Sequence, residues 1–204
     1  MKRFDIINQF ISDRDYKIFL EIGTSAGETY KNVTAPIRIS VDPDMKSMAT
    51  YRMTSDQFFD LTNLAGSPEN LLLPDVIFID GLHTHDQAYA DIRNAMSILN
   101  PNGVIIIHDC LPESEQMQAY KPAYTGGLWT GDVWKAFVKY RSECPYEMYT
   151  INTDFGCGVI DTTMKKKTTR SLKLPSDMEA MTYEQFVQNR DKWMNVKEGI
   201  QYAE

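Results

Sequence analysis

The sequence predicts an α/β protein built on a doubly wound, mostly parallel seven-stranded sheet that ends in an antiparallel hairpin. Short apolar runs that end in glycine or a carboxylate recur between residues 16 and 109, with helical segments between them. Buried parallel strands that deliver their carboxyl ends to a ligand crevice have this pattern. Two further strands, 146–151 and 156–160, follow each other at hairpin spacing.

The composition is that of one globular domain over residues 1–204. The chain has 43% hydrophobic and 24% charged residues, which is ordinary for a domain with a full core. A net charge of -7 argues against nucleic-acid binding, and no apolar run reaches the roughly 18 residues of a membrane span. Three widely spaced cysteines predict reduced thiols, and the polar N-terminus does not resemble a signal peptide, so we expect a cytoplasmic location.

The first half of the chain reads as helix, strand, helix, strand. Residues 1–15 have apolar side chains at helical spacing, which predicts an amphipathic helix that covers an edge of the core. Residues 16–22 predict a buried strand, and 23–27 a turn into a second helix. Residues 38–42 predict the second strand and 51–54 a short third one.

Two more buried strands follow, at 75–80 and 104–108, with an amphipathic helix between them. Thr84 and Gln87 resemble a capping box at the start of that helix. The residues 100–103, Asn-Pro-Asn-Gly, predict a turn into the fifth strand.

The chain then changes character. Residues 111–130 are rich in proline, glycine and aromatic side chains, and we expect them to form a loop at an acceptor site. A helix is predicted near 132–141, and a helical extension over 176–204. Trp129 and Trp134 either line an acceptor pocket or pack helices, and packing is the expectation for Trp134. The basic run at 165–170 is either a solvated loop or a patch for an anionic partner.

The first strand leads into Glu21-x-Gly23-x-x-x-Gly27, which opens a helix. Glycines permit a tight turn and close approach of a ligand to the backbone. The spacing differs from Gly-x-Gly-x-x-Gly, which wraps a pyrophosphate. A carboxylate such as Glu21 suits the ammonium group of a ligand with an amino-acid end. A plain strand–helix turn would also explain the glycines.

Two later acids extend this site. Asp42 ends the second strand about twenty residues beyond the first glycine, where an acid can accept both ribose hydroxyls. A nicotinamide enzyme would use the same acid, so Asp42 indicates a ribose rather than a methyl donor. Ser55 and Asp56 follow the predicted third strand, and they either bind an adenine edge or cap a helix.

These residues, with Phe78–His83 and His108–Asp109, resemble those of class I S-adenosylmethionine-dependent methyltransferases. Within that superfamily they resemble the small bacterial branch whose fourth strand ends in Asp-Gly-x-His. The segments 131–136 and 186–190 are similar to that branch too, so the resemblance covers nearly the whole chain. It implies a Rossmann-like methyltransferase fold.

The resemblance also assigns roles. It implies that Glu21 and the glycines hold the methionine end of S-adenosylmethionine, Asp42 the ribose and Asp56 the adenine. Ser25 departs from the pattern, because that position is often glycine in the superfamily. The expected cofactor-binding residues are Glu21, Gly23, Ser25, Gly27, Asp42, Ser55, Asp56 and Asp80.

All three histidines, His83, His85 and His108, lie with Asp80 and Asp109 near the ends of the fourth and fifth predicted strands. Such a cluster can be a metal site, a general base, or both. We expect His83 to be the base, unless it caps or packs beside the following helix. His108 either takes part in this cluster or is a buried, hydrogen-bonded core histidine.

The related catechol- and macrolide-type methyltransferases bind magnesium with acids at these strand ends. That resemblance implies Asp80 and Asp109 as Mg²⁺ ligands, since Mg²⁺ prefers oxygen donors. The expected catalytic residues are His83 and Asp109. Cys110 departs from the catechol type, which places an amide or a second acid there, and we expect a small buried hydrophobe at this position.

The sequence therefore predicts an S-adenosylmethionine-dependent methyltransferase that acts on a small-molecule acceptor at a hydroxyl oxygen, with nitrogen left open. The resemblance alone suggests a sugar or secondary metabolite. One alternative is a nicotinamide-dependent oxidoreductase, which the glycine spacing and the terminal hairpin disfavour. The other is a catalytically silent nucleoside-binding module, which the convergence of Asp80, His83 and Asp109 disfavours. Exposed apolar surface on a terminal helix would support a homodimer.

Overall fold

The computed structural model describes residues 1–64, 73–121, 128–166, 174 and 177–202. Helices and strands alternate through the first half, as the sequence predicts. The helices are α1 (Arg3–Arg14), α2 (Glu28–Asn32), α3 (Ser55–Leu64), α4 (His85–Ile98), α5 (Val133–Glu143) and α6 (Tyr183–Met194). The strands are β1 (Ile18–Ile22), β2 (Ile37–Val41), β3 (Val76–Ile79), β4 (Val104–Ile107), β5 (Tyr146–Ile151), β6 (Cys157–Lys165) and β7 (Val196–Lys197).

The strands form one seven-stranded sheet in the order β2-β1-β3-β4-β6-β5-β7. Strands β1 to β4 are parallel, while β6 runs antiparallel to both β4 and β5. This arrangement confirms the predicted fold class. The chain steps from β1 to β2 on one side and then returns to place β3 on the other side of β1. A ligand crevice is expected at the carboxyl ends of β1 and β3, where the strand order reverses.

The seven strands differ from the expected set in one respect. The predicted third strand at 51–54 is reduced to a single parallel bridge between Tyr51 and Val41. The reason is local, because Thr54 and Gln57 form reciprocal hydrogen bonds that start α3 at Ser55. The seventh strand is instead β7, which pairs parallel with β5 at the opposite edge.

Apolar side chains cover both faces of the sheet. All four residues of β3 and all four of β4 are buried, as parallel strands between two helical layers require. Helix α1 packs Ile6, Ile7 and Phe10 against one face, in a cluster with residues of β1, β3, β4 and β6. The expectation that this helix covers an edge is therefore wrong, because it lies over the centre of the sheet.

The start of α4 differs from the prediction. Thr84 occupies the N-cap position of α4, but no capping hydrogen bond involves its side chain. The capping box with Gln87 is therefore wrong, because the Gln87 amide turns to Ser55, Asp56 and Asp91 instead.

Of the expected acceptor-site loop, residues 122–127 lie outside the described residues, as do residues 167–170 of the basic run. None of the helices that the structure describes is long and apolar enough to cross a membrane.

Candidate active site

A cavity of about 720 Å³ opens at the carboxyl ends of β1, β2 and β3, where the strand order reverses. Seven of the eight expected cofactor-binding residues line its wall: Glu21, Gly23, Ser25, Asp42, Ser55, Asp56 and Asp80. The eighth, Gly27, follows the lining residues Ser25 and Ala26. Residues far apart in sequence thus meet in one place, as parallel strand ends predict.

Gly23 joins β1 to the loop under the cavity. Its φ of +88° is in the left-handed region, and a Cβ at this position would lie 2.0 Å from the carbonyl oxygen of Asp80. Only glycine therefore fits between the ends of β1 and β3. Ser25 has a φ of +45°, which explains why glycine is common at this position in the superfamily that the sequence resembles.

Glu21 is buried in β1 and lines the cavity. Its Oε2 has no hydrogen-bond partner among the described residues, which is unusual for a buried carboxylate. Burial, reinforced by the nearby charge of Asp80, raises the pKa of Glu21 to about 8. A cationic group in the cavity would supply the missing partner and favour the charged carboxylate.

Asp42 follows β2 and fixes the loop that Gly23 begins. Its Oδ2 accepts a hydrogen bond from the Ser25 N–H at 2.7 Å, and its Oδ1 accepts one from the Asp44 N–H at 2.8 Å. Each carboxylate oxygen can accept a further bond. The side chain is therefore held in place and can still accept hydrogen bonds from hydroxyl groups in the cavity.

Ser55 and Asp56 begin α3 at the far wall of the cavity. Thr54 is the residue that caps the helix, so the helix-cap alternative for Ser55 and Asp56 is wrong. The Gln87 amide instead donates to Ser55 Oγ at 3.2 Å and to Asp56 Oδ1 at 3.1 Å. These contacts tie the start of α3 to α4, a link that no local sequence pattern announced.

Asp80, His83 and Asp109 form a compact cluster beside the cavity. His83 Nε2 lies 3.3 Å from Asp80 Oδ1, and His83 Nδ1 lies 3.1 Å from Asp109 Oδ2. One donor atom from each of the three residues falls within 4.8 Å of the other two. Burial opposes charge on His83, but the two carboxylates outweigh it and raise the pKa of its imidazole. Asp109 also has a φ of +60°, a conformation uncommon outside glycine.

His108 lies behind this cluster. Its Nδ1 is 3.2 Å from both Asp80 Oδ1 and Asp109 Oδ1, and its Nε2 is 3.7 Å from Asp154 Oδ2. Burial again opposes charge, yet these carboxylates raise the pKa of His108 well above its usual range. His108 is therefore a buried, hydrogen-bonded residue, but it supports the cluster rather than the apolar core.

His85 does not join the other two histidines. Its Nδ1 lies 2.7 Å from Asp132 Oδ2, at the start of α5. The expected convergence of all three histidines is therefore wrong for His85, because α4 begins at this residue and its side chain follows the helix towards α5. His83, two residues earlier, still belongs to the loop that follows β3.

The two tryptophans separate as expected. Trp129 lines the cavity and stacks on His83, with ring centroids 5.2 Å apart and an interplanar angle of 26°. Trp134 is fully buried and stacks on Trp193 of α6. Cys110 is fully buried, and burial raises the pKa of its thiol, as expected for a small hydrophobe.

Sequence reasoning missed Arg3 and Asp154. Arg3 lines the cavity from α1 and forms an ion pair with Asp154, 3.0 Å between Nη1 and Oδ2. Asp154 lies in the turn between β5 and β6, with a φ of +48°. Neither residue belongs to a local motif, since tertiary packing alone brings them to the site.

Comparisons with known proteins agree with this geometry. Residues 20–110 match the family described as a methyltransferase domain. The matched segment begins in β1 and ends just after β4, so it contains every expected cofactor-binding and catalytic residue. None of the curated proteins compared with the chain matches it.

Solved structures share the fold of this chain at low sequence identity. The O-methyltransferase from Bacillus cereus, in complex with SAH, superposes with a TM-score of 0.58 at 14% identity over 78% of this chain and 80% of that one. TomG from Streptomyces achromogenes, in complex with SAM, gives 0.57 at 12% identity, over 78% and 79% of the two chains. SAH-bound PaMTH1 from Podospora anserina gives 0.53 at 16% identity, over 80% and 78%. The fold is thus that of class I methyltransferases.

Proposed function

We propose that this protein transfers the methyl group of S-adenosylmethionine to a hydroxyl oxygen of a small-molecule acceptor. One observation carries the proposal. A single cavity at the sheet's reversal point joins a buried, unpartnered carboxylate, Glu21, to the Asp80–His83–Asp109 cluster. The first suits a cationic donor, and the second suits removal of a proton from an acceptor.

Three parts of the donor have candidate partners. Glu21 would pair with the ammonium group of the methionine end, which supplies the partner that its Oε2 lacks. Asp42, already fixed by two backbone N–H groups, would accept the ribose hydroxyls. Ser55 and Asp56, held by Gln87, would face the adenine edge. The bound donor supplies an electrophilic methyl group on its sulfonium sulfur.

The catalytic roles proposed are those of His83 and Asp109. Asp109 orients the His83 ring through Nδ1, and the stacked ring of Trp129 fixes its plane. An imidazole so held can accept the hydroxyl proton of an acceptor at the cavity mouth. Most of the rate enhancement would come from alignment of donor and acceptor.

The cluster also fits a divalent cation. Asp80 and Asp109 offer oxygen donors and His83 a nitrogen donor within a short span of one another. Bound Mg²⁺ would lower the pKa of an acceptor hydroxyl. We include Mg²⁺ in the proposal with Asp80 and Asp109 as its ligands, and the acceptor assays below compare turnover with and without it.

The acceptor itself is proposed as a sugar or secondary metabolite. TomG, which shares the fold, is described as involved in tomaymycin synthesis. The indole ring of Trp129, which lines the cavity, suits a planar acceptor or a sugar ring. A homodimer remains a prediction. Three free buried cysteines, Cys110, Cys144 and Cys157, fit the proposed cytoplasmic location.

Calorimetric titration with S-adenosylhomocysteine, with NAD in parallel, tests the donor site. We expect micromolar binding of the first and no binding of the second. Binding of NAD alone would favour the oxidoreductase, and binding of neither would contradict the proposed donor. Asp42→Asn should weaken S-adenosylhomocysteine binding, whereas Asp44→Asn, a neighbour that does not line the cavity, should not. Methyl-transfer assays over a panel of hydroxyl acceptors, with Mg²⁺ or with a chelator, then test the reaction.

A further inference from the structure

The guanidinium of Arg3 stands at the wall of the donor cavity, although it comes from the start of α1. Its Nε donates to Thr29 Oγ1 at 3.0 Å, its Nη1 to Asp154 Oδ2 at 3.0 Å, and its Nη2 to Glu28 Oε2 at 2.8 Å. Its side chain is only 16% exposed. Three partners from two segments, α2 and the turn between β5 and β6, thus hold the group in one orientation.

The charges around the cavity indicate what the Arg3 guanidinium can bind. Among the described residues that line it, Arg3 supplies the one arginine or lysine side chain. His83 also lines the cavity, but its two ring nitrogens lie against Asp80 and Asp109. The remaining charged lining residues are carboxylates: Glu21, Glu28, Asp42, Asp56 and Asp80. Any anionic group of a ligand would be repelled along the rest of this wall, so Arg3 is the place where it can be neutralised.

The proposed donor has one such group. Its methionine end carries an ammonium and a carboxylate on the same carbon atom, so the residues that bind them must be neighbours. Arg3 and Glu21 fulfil this condition, because both line the cavity and they are near enough for the charge of Arg3 to favour the ionised form of Glu21.

We infer that Arg3 binds the carboxylate of the methionine end and makes the site select ligands with an intact amino-acid group. This inference rests on the proposed function. The Nη2 of Arg3 would donate the hydrogen bond to the ligand carboxylate. Its present partner, Glu28, is 56% exposed and can turn to solvent, whereas Asp154, the partner of Nη1, is buried and stays in place. Arg3 is thus a specificity-determining residue that binds through charge-assisted hydrogen bonds.

The test compares whole and truncated ligands on the full-length protein by calorimetry. The ligands are S-adenosylhomocysteine, its decarboxylated form, and 5′-methylthioadenosine, which lacks the whole amino-acid end. The variants are Arg3→Met, Arg3→Lys and a control, Lys2→Met. Lys2 is the preceding residue, also lies near Asp154 at 3.6 Å, and does not line the cavity.

We expect Arg3→Met to weaken S-adenosylhomocysteine binding by about tenfold or more, the effect of losing a charged hydrogen-bond partner. The affinity of Arg3→Lys should lie between those of wild type and Arg3→Met, and the affinity of Lys2→Met should match that of wild type. Both truncated ligands should bind wild type and Arg3→Met equally. The truncated ligands also detect misfolding, since a damaged cavity would lose all three.

Equal losses for whole and truncated ligands in Arg3→Met would overturn the inference and assign Arg3 a structural role. Unchanged S-adenosylhomocysteine binding in that variant would overturn it as well. Failure of the wild type to bind any of the three ligands would instead contradict the proposed function, and with it the inference, so the two failures are distinguishable.

Discussion

Buried carboxylates lie at both ends of the central strands, but at the carboxyl ends Glu21 keeps an oxygen without a partner among the described residues. At the amino ends of the strands, Asp75 accepts hydrogen bonds from the backbone N–H groups of Lys17 and Ile18, at 2.8 and 3.0 Å. Its other oxygen accepts one from the Asn100 amide at 2.7 Å. The same edge holds Asp161, which accepts from Arg14 Nη1 at 3.0 Å.

At the carboxyl ends the carboxylates are less completely satisfied and more strained. Glu21 keeps an oxygen without a partner among the described residues, and Asp109 is held with a φ of +60° against two imidazoles. A buried polar group without a partner costs free energy, so this edge is stabilised when a ligand supplies the partners. The comparison teaches that the amino edge stabilises the fold and the carboxyl edge is kept for binding.

The largest effect is expected at Asp109. Asp109→Asn keeps the shape of the side chain but removes the charge that orients His83 and completes the candidate metal site. We expect kcat to fall by about 100-fold or more, the usual range for loss of general acid–base assistance. Steady-state assays with an acceptor from the screen measure it. A kcat within threefold of wild type would remove Asp109 from the catalytic roles.

The matched change at the amino ends, at Asp75, should lower the stability of the fold and leave kcat unchanged. Asp75→Ala leaves two partly buried backbone N–H groups and one amide without an acceptor, and we expect it to lower the free energy of unfolding by about 2 kcal/mol. Asp75→Asn keeps one acceptor oxygen and should cost less. Urea unfolding measures both, and kcat of the folded variants should match wild type. Loss of kcat without loss of stability would break the division between the edges.

The sequence was sufficient where a feature depends on local pattern. Six of the seven predicted strands, the glycine turn after Glu21 and the acid after β2 follow from runs of apolar residues and from spacing, and the structure has each of them. The hairpin follows from two strands at close spacing. The cluster of Asp80, His83 and Asp109 follows because parallel strands end at the same edge of a sheet.

Other features depend on contacts that no local pattern records. The third strand failed because Thr54 and Gln57 begin a helix where a strand pairing was expected. The Gln87 side chain does not cap α4, because the start of α3 offers it acceptors at hydrogen-bond distance. Arg3 reaches the donor site only because α1 packs over the centre of the sheet, and periodicity in α1 reports burial but not position.

The smallest effect is expected at Glu21, and it concerns the pH dependence of ligand affinity. This effect tests directly whether the carboxyl ends of the strands bind the methyl donor. Its pKa is raised from 4.5 to about 8, so the free folded protein holds a proton between these values that the unfolded chain has released. The contribution of Glu21 to stability is therefore fully present below pH 4.5 and is lost as pH rises through 8. Pairing with a ligand ammonium requires the ionised form, so binding below pH 8 must release this proton.

We therefore expect the affinity for S-adenosylhomocysteine to rise with pH by up to about tenfold per unit until pH 8. The advantage of wild type over Glu21→Gln in affinity should be smallest at pH 6, where Glu21 must give up its proton to pair with the ligand, and largest at pH 8.5. Calorimetry in two buffers of different ionisation enthalpy counts the protons released, about one for wild type at pH 6.5 and fewer for the variant. Since His83 also titrates with a raised pKa, His83→Gln serves as the control that should retain the Glu21 slope. Equal pH slopes in wild type and Glu21→Gln would mean that the unpartnered carboxylate does not meet the ligand's cation, and the carboxyl edge would then need another explanation for leaving it open.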